Sequence, residues 1–263
     1  MLCESGRISS GLAMTKNKFE RGNEMRKFTL NDITPPKPTL PNNPVNRVIF
    51  VLDRSGSMAR LFDKTTEDVL EKIAQLKASD RKTAQASYIT IWDFANTARK
   101  CVDNVHSENA SYRWSGVSGG TALNDTMCEV IEDTKKIIPI STDESVLILV
   151  LTDGIDEHSK KHSTTVRSLI SEIPENWTIT LIGPEGNLKW GESVGIPRDN
   201  MLFWDGRAET FGQTVSAQAT GMSSYVQTRS AGGSSTQSFY SVNPNKILPE
   251  EVEKLIKLPP PRD

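Results

Sequence analysis

The chain has 263 residues, with 31 basic and 33 acidic side chains and a formal net charge of −2. This balance argues against non-specific nucleic-acid binding, which needs a basic surplus or a basic stripe. No apolar run approaches the ~20 residues of a membrane-spanning helix, and three scattered cysteines do not form a disulfide framework. We therefore expect a reduced, cytoplasmic protein that binds neither nucleic acid nor membranes.

Residues 1–44 are polar and are interrupted by five prolines, at positions 35, 36, 38, 41 and 44. Proline favours an extended backbone, and the few apolar residues here cannot offset the entropy lost on ordering. We predict a flexible, Pro-rich N-terminal arm over 1–44, in which Met14 and Met25 are alternative start sites.

Residues 45–228 alternate strand patterns with helical patterns and are predicted to form the globular domain. Strands are predicted at 48–52, 88–92, 98–102, 146–151, 177–182 and 201–204. Helices are predicted at 69–76, 122–138, 166–173 and 208–226. This alternation indicates a mainly parallel sheet between layers of helices, and such sheets bind ligands at the carboxyl ends of their strands.

Residues 229–263 begin with a Ser- and Gly-rich run, which is typical of a flexible linker. Residues 238–242 are a candidate short strand. Pro249–Leu258 is predicted to form a short amphipathic helix, because proline suits its first turn and three glutamates lie near its positive end.

Three segments place oxygen-bearing side chains at the ends of strands or at the start of a helix. Asp53-Arg54-Ser55-Gly56-Ser57 follows the first apolar strand, Gly119-Gly120-Thr121 opens a helix, and Thr152-Asp153-Gly154 follows the strand at 146–151. We predict that two carboxylates and three hydroxyls converge on one edge of the sheet: Asp53, Ser55, Ser57, Thr121 and Asp153. Oxygen ligands alone favour a hard cation, so Mg²⁺ is expected, with Mn²⁺ or Ca²⁺ as alternatives.

In this order, the three segments resemble the metal-ion-dependent adhesion site of the von Willebrand factor A (vWA) domain, D-x-S-x-S … T … D. The similarity extends over 45–228, and its details are closest to intracellular bacterial and phage members. The resemblance implies a doubly wound α/β fold with a six-stranded, mainly parallel sheet, one antiparallel edge strand and helices on both faces. It also implies that the three hydroxyls contact the metal directly, that the two aspartates bind it directly or through water, and that a partner's acidic side chain completes the shell.

The loops around this site are expected to supply further partner contacts. The candidate residues are Arg54, Met58, Trp114, Asp156 and Glu157. Trp114 and Trp190 fall in predicted loops, which favours exposed contact roles for both. Intracellular members of the family often serve as accessories to AAA+ ATPases or other complexes, so an AAA+ ATPase is a candidate partner.

We therefore expect a non-enzymatic module that uses its metal to bind an acidic side chain of a partner protein. One alternative is a structural or assembly subunit of a bacterial or phage complex that docks through its tails. A second alternative is a metal-dependent phosphohydrolase with Asp53 as nucleophile. Against it, the acid–base aspartate that such enzymes place two residues later is replaced by Ser55.

Overall fold

Six strands form one sheet within the residues that this computed structural model describes, which are 44–114, 116–137, 144–233 and 238–240. In chain order the strands are β1 (Val45–Asp53), β2 (Ala86–Phe94), β3 (Ala98–His106), β4 (Glu144–Leu151), β5 (Trp177–Gly183) and β6 (Met201–Phe203). Their order across the sheet is β3-β2-β1-β4-β5-β6, and within it β3 alone runs antiparallel to its neighbour. The predicted doubly wound α/β fold is therefore confirmed.

β1 occupies the centre of the sheet, because it pairs in parallel with β2 on one side and with β4 on the other. The chain builds the β2 and β3 side first and then crosses back to add β4, β5 and β6. The point where strand order reverses therefore lies between β1 and β4. In open α/β sheets this position is where ligands bind, at the carboxyl ends of the strands.

Helices cover both faces of the sheet: α1 (Phe62–Thr83), α2 (Leu123–Ile137), α3 (Ser163–Ser171), α4 (Glu185–Val194) and α5 (Ala208–Ser230). The alternation of side chains along β1 shows the two layers. Val48, Phe50 and Leu52 pack in the cluster that includes buried residues of α1 and α5. Ile49 and Val51 pack in the second cluster, with residues of α2, α3 and α4. β1 is therefore buried on both faces, as its continuous apolar run predicts.

α4 is a helix that the sequence analysis did not predict, and it changes the position of Trp190. The segment contains two glycines and follows Pro184, so it resembles a loop. Pro184 is in fact the residue at the N-terminal cap, and Gly195 ends the helix in the left-handed conformation with φ of 96°. Trp190 is therefore a half-buried helical residue that donates from its indole nitrogen to Asn124, and its predicted loop position was wrong.

The chain after α5 contributes to the core. Residues 238–240 form a turn rather than the beginning of a strand, and the side chains of Phe239 and Tyr240 are buried in the cluster below α1 and α5. The Tyr240 N–H donates to the Asp199 carbonyl at 3.0 Å, just before β6. Apolar packing thus continues into the segment predicted as a linker.

The end of α5 lies against the start of β1. The Nε of Arg229 donates to the side-chain oxygen of Asn46 at 3.1 Å, and Nη2 of the same residue is 3.5 Å from the carbonyl of Val45. Two positions far apart in sequence are therefore joined at the amino end of the central strand, which is the end opposite to Asp53.

Several predictions concern residues outside the described ranges. They are the arm up to residue 43, the linker residues 234–237 and the C-terminal helix at Pro249–Leu258. Within the described ranges, none of the helices combines the length and the hydrophobicity needed to cross a membrane.

Candidate metal site

Asp53 is the last residue of β1 and is fully buried at the point where strand order reverses. One carboxylate oxygen accepts the backbone N–H of Ser55 at 2.7 Å, and the other accepts the Thr152 hydroxyl at 2.6 Å. Thr152 lies at the end of the neighbouring strand β4. These two bonds fix the carboxylate between the first and third loops, so its position is set before any ligand binds.

Ser55, Ser57 and Asp153 form a chain of hydrogen bonds across the same end of the sheet. The Ser57 hydroxyl donates to Asp153 at 2.6 Å, and the Ser55 and Ser57 hydroxyl oxygens are 3.0 Å apart. Because Ser57 uses its one proton on Asp153, Ser55 is the donor between the two serines. The first loop and the loop after β4 are thereby connected through the predicted ligands themselves.

Thr121 belongs to the second loop, and its carbonyl accepts the backbone N–H groups of Glu157 and His158 at 3.0 and 3.1 Å. Its hydroxyl lies close to Gly154, where an added Cβ would be 2.6 Å from the Thr121 Oγ1 and 3.6 Å from an Asp53 carboxylate oxygen. The absence of a side chain at Gly154 therefore leaves room for the Thr121 hydroxyl near Asp53.

Backbone hydrogen bonds hold the first and second loops together. The N–H of Gly56 donates to the Gly119 carbonyl at 3.1 Å, and the N–H of Ser118 donates to the Arg54 carbonyl at 3.0 Å. The three loops are thus cross-linked by main-chain and side-chain contacts, and the five predicted ligands lie in one cluster.

The two carboxylates of the cluster have raised pKa values. Burial raises the pKa of Asp53 to about 6, opposed by its hydrogen bonds from Thr152 and Ser55, and Asp153 adds a small rise of its own. Burial also raises the pKa of Asp153, opposed by its hydrogen bond from Ser57 and by the charge of Arg60. Both carboxylates are therefore costly to ionise without a cation, and a bound cation would favour their charged forms.

The donor set fits a hard divalent cation. Two carboxylates and three hydroxyls supply oxygen atoms only, whereas zinc sites in proteins are built mainly from histidine and cysteine. Within the described ranges, no group of three or more His, Cys, Asp or Glu side chains is arranged to hold a metal. The cluster of two carboxylates and three hydroxyls is a candidate site because its contacts bring these oxygen atoms together where strand order reverses.

Two of the residues predicted to contact a partner are in the core, which corrects the prediction. Met58 is 0% exposed and Trp114 is 3% exposed. Met58 lies in the 3₁₀ turn Gly56–Leu61, which also contains Ser57, and it packs with core residues of α1 and α5. The Trp114 ring stacks on Phe62 at the start of α1, with ring centroids 5.3 Å apart. Both are therefore core residues, and neither side chain is exposed to a partner.

The other three predicted contact residues surround the cluster. Arg54 is partly buried, and its Nε donates to Asp93 at 3.1 Å. Asp156 accepts from the Asn124 side chain at 2.6 Å, so its carboxylate is already engaged. Glu157 is exposed next to the loop that contains Thr121. Arg54 and Asp156 therefore hold loops in place, and Glu157 faces solvent.

Two further residues contribute to the site beyond the predicted set. Thr152 donates to Asp53, and the Arg60 guanidinium lies 3.9 Å from Asp153. The sequence could have indicated this role for Thr152, because it lies directly before Asp153 and directly after an apolar strand. Arg60 has no comparable signal, because its place depends on the 3₁₀ turn Gly56–Leu61.

No protein-family model matches the chain, and no curated protein matches its sequence. Solved structures that match include proximal thread matrix protein 1 from the mussel byssus, at 16% identity and a TM-score of 0.45, over 68% of this chain and 46% of that chain. Another is the ArnB paralog VWA2 from Sulfolobus acidocaldarius, at 20% identity and a TM-score of 0.44, over 67% of this chain and 45% of that chain.

A third is a von Willebrand factor type A structure from Catenulispora acidiphila, at 19% identity and a TM-score of 0.44, over 68% of this chain and 43% of that chain. One further structure of the mussel protein is described as having a zinc-occupied MIDAS motif, at 14% identity and a TM-score of 0.46, over 69% of this chain and 47% of that chain. The present chain thus spans less than half the length of each of these proteins.

Proposed function

We propose that this chain is a metal-dependent protein-binding module, in which a divalent cation between β1 and β4 binds an acidic side chain of a partner protein. The observation that supports this most directly is the convergence of five oxygen-bearing side chains from three cross-linked loops: Asp53, Ser55, Ser57, Thr121 and Asp153. The sequence resemblance to the vWA adhesion site supports the same function, with an AAA+ ATPase or another complex subunit as a candidate partner.

We propose Mg²⁺ as the cation, with Mn²⁺ or Ca²⁺ as alternatives, because the ligand atoms are all oxygens. When bound, the cation would supply a positive charge that attracts a carboxylate. The residues of the chain hold the ligand oxygen atoms in position for the cation. Asp53 is held by Ser55 and Thr152, and the glycine at 154 leaves room for the Thr121 hydroxyl.

Calorimetric titration with Mg²⁺ and an affinity pull-down in Mg²⁺ or EDTA test this function. Asp53→Asn keeps the size of the side chain and removes its charge, and we expect it to abolish metal binding and the metal-dependent capture of a partner. Asp103→Ala on β3 is the matched control, because Asp103 is exposed and lies away from the site. Magnesium binding that survives in Asp53→Asn would contradict the proposal.

The same pull-down separates this function from docking through the tails. A chain truncated after Tyr240 removes residues 241–263 and keeps Phe239 and Tyr240, which are buried in the core. If the rim of the metal site binds the partner, capture persists in this truncation and is lost in Asp53→Asn. The opposite pattern would assign the interaction to the C-terminal tail.

We propose no catalytic activity for the site. Ser55 occupies the position where a phosphohydrolase of the type considered above would need a carboxylate for proton transfer, and a hydroxyl does this poorly at neutral pH. Hydrolysis of a generic phosphoester that is lost in Asp53→Asn would overturn this assignment.

A further inference from the structure

Six of the charged side chains around the metal site together carry no net formal charge before a cation binds. Three acidic and three basic side chains lie at this end of the sheet and are connected mainly by direct contacts: Asp53, Asp93, Asp153, Arg54, Arg60 and Arg99. Asp93 is fully buried at the end of β2 and binds both Arg54 and Arg99. A divalent cation would therefore leave this group of residues with two positive charges in excess.

These positive charges are not spread evenly around the site. On the side that follows β4, the first charged side chains after Asp153 in the sequence are acidic, at Asp156 and Glu157, and Ile155 is exposed between them and Gly154. On the side of the 3₁₀ turn Gly56–Leu61, the charged neighbour of Asp153 is Arg60. A second acidic group on a partner would thus be repelled on one side of the metal and attracted on the other.

Arg60 is free to accept such a group. Its side chain is 56% exposed, and within the described residues its one ion pair is the long contact of 3.9 Å to Asp153. By contrast, the guanidinium of Arg54 is held by the buried carboxylate of Asp93. Gly206 lies beside Arg60, where an added Cβ would be 3.6 Å from Nη2, so the approach to the guanidinium is not blocked by a side chain at that position.

We propose that the partner is recognised through two acidic side chains, one bound to the metal and a second bound to Arg60. This inference rests on the proposed function, because the first carboxylate needs the metal. The second carboxylate would form a two-pronged ion pair with the planar guanidinium, a geometry that lysine does not offer. The occupant is thus an acidic peptide segment of a protein.

Synthetic peptides test the proposal without knowledge of the natural partner. One fluorescent peptide carries a single Glu among Gly and Ser residues, and three others carry a second Glu one, two or three positions away. Binding is measured by fluorescence anisotropy at low ionic strength, in Mg²⁺ and in EDTA. We expect the best peptide with two Glu to bind about two- to fivefold more tightly than the peptide with one, the range of an exposed ion pair.

The variant Arg60→Gln should reduce this ratio of affinities to about one, because it removes the second anchor. The matched control is Arg198→Gln, since Arg198 is 57% exposed and lies in the turn before β6, away from the metal. Thermal unfolding of both variants checks that the fold is retained. A ratio that stays high in Arg60→Gln would overturn the proposal.

The remaining outcomes distinguish the inference from the function on which it rests. If every peptide binds in a Mg²⁺-dependent way with equal affinity, the two-acid proposal is wrong and the metal-dependent function stands. If calorimetry shows bound Mg²⁺ but none of the peptides binds, both proposals are wrong, because the metal then has no affinity for an external carboxylate.

Discussion

Gly154 shows how closely the three loops approach one another at the scale of single residues. Its backbone does not have a positive φ, so a side chain is excluded there by space and not by backbone conformation. The nearest atom to an added Cβ is the Thr121 hydroxyl oxygen, at 2.6 Å. Any substitution must therefore displace a predicted metal ligand.

We predict that Gly154→Ala destabilises the fold by about 1–3 kcal/mol and weakens Mg²⁺ binding, because overpacking pushes Thr121 away from the site. Urea unfolding and calorimetric titration measure the two effects. Gly212→Ala is the matched control: an added Cβ there has no atom within 4 Å, and Gly212 lies inside α5. This control should stabilise the chain by about 0.5–1 kcal/mol. Unchanged magnesium affinity in Gly154→Ala would argue against Thr121 as a ligand.

The predicted metal cluster follows from local sequence, whereas the exposure of its neighbours does not. Asp53 ends β1, Asp153 lies two residues after the adjacent parallel strand β4, and the order of the sheet then brings them together. Met58 and Trp114 lie in irregular segments without apolar periodicity, so their burial depends on packing against α1 that the sequence pattern does not encode. Arg60 is exposed and was missed for a different reason, because its place beside Asp153 depends on the 3₁₀ turn Gly56–Leu61.

α1 contains a buried ion pair, which is a feature of the element and not of the site. Asp68 and Lys72 are one turn apart, both are buried, and the Lys72 ammonium donates to the Asp68 carboxylate. Burial raises the pKa of Asp68 and lowers that of Lys72, so each charge depends on the other. The pair faces inward where an apolar stripe would be expected.

We predict that Lys72→Met destabilises the protein by about 3–5 kcal/mol, because it leaves the Asp68 carboxylate buried without a partner. The double variant Asp68→Leu with Lys72→Met should recover most of this loss or exceed the stability of the original chain. Urea unfolding of both variants measures the difference. Equal losses in the single and double variants would mean that packing of the Lys72 stem, and not the charge, is what matters.

Strands and helices were identified from the sequence where their apolar patterns are strong. β1 and β4 are continuous apolar runs buried on both faces, and both were identified. α4 has its inward residues, Leu188 and Val194, separated by Gly191. That glycine is required because an added Cβ would lie 2.5 Å from the sulfur of Met201. Close packing of the helix on the sheet therefore removed the apolar signal that would have revealed it.

The packing of Phe239 extends the folded unit beyond α5 at the scale of the whole molecule. Its ring lies against Gly221 in the middle of that helix, where an added Cβ would be 2.4 Å from a ring carbon. Its N–H donates to the Asn200 side chain at 2.9 Å. The turn at 238–240 thus closes the α1 and α5 side of the core.

We predict that Phe239→Ala destabilises the chain by about 3–5 kcal/mol, the usual loss for truncating a buried aromatic residue. Ser238→Ala is the control, since it removes one exposed hydrogen bond to Asp199 and should change stability by about 1 kcal/mol or less. Thermal or urea unfolding provides the comparison. Equal stabilities for the two variants would show that the turn does not contribute to the core.

Burial of tyrosine side chains makes the stability of the whole molecule depend on pH in the alkaline range. Burial raises the pKa of Tyr112, Tyr225 and Tyr240, with Tyr225 reaching about 12. Well below pH 10 all three are protonated in both folded and unfolded chains. Above pH 10 the unfolded chain loses these protons first, so the free energy of unfolding falls as pH rises towards 12.

We expect each of these tyrosines to lower stability by up to about 1.4 kcal/mol per pH unit in this range. Urea unfolding at several alkaline pH values, with ultraviolet absorbance to follow ionisation, measures the slope. Tyr225→Phe should make the free energy of unfolding fall less steeply with pH, because it removes one of the three buried tyrosine hydroxyls. Reversible ionisation of all three tyrosines near pH 10 in the folded chain would contradict the prediction.

The contact of Arg229 with Val45 and Asn46 has a consequence for how the domain can be connected to other proteins. The start of β1, the end of α5 and Asp199 beside Tyr240 all lie at the amino ends of the parallel strands. β1 has nine residues, so about 26 Å separates these positions from Asp53. If residues 45–240 are inserted as a cassette into a surface loop of a host protein, we expect both junctions to lie on the side away from the metal.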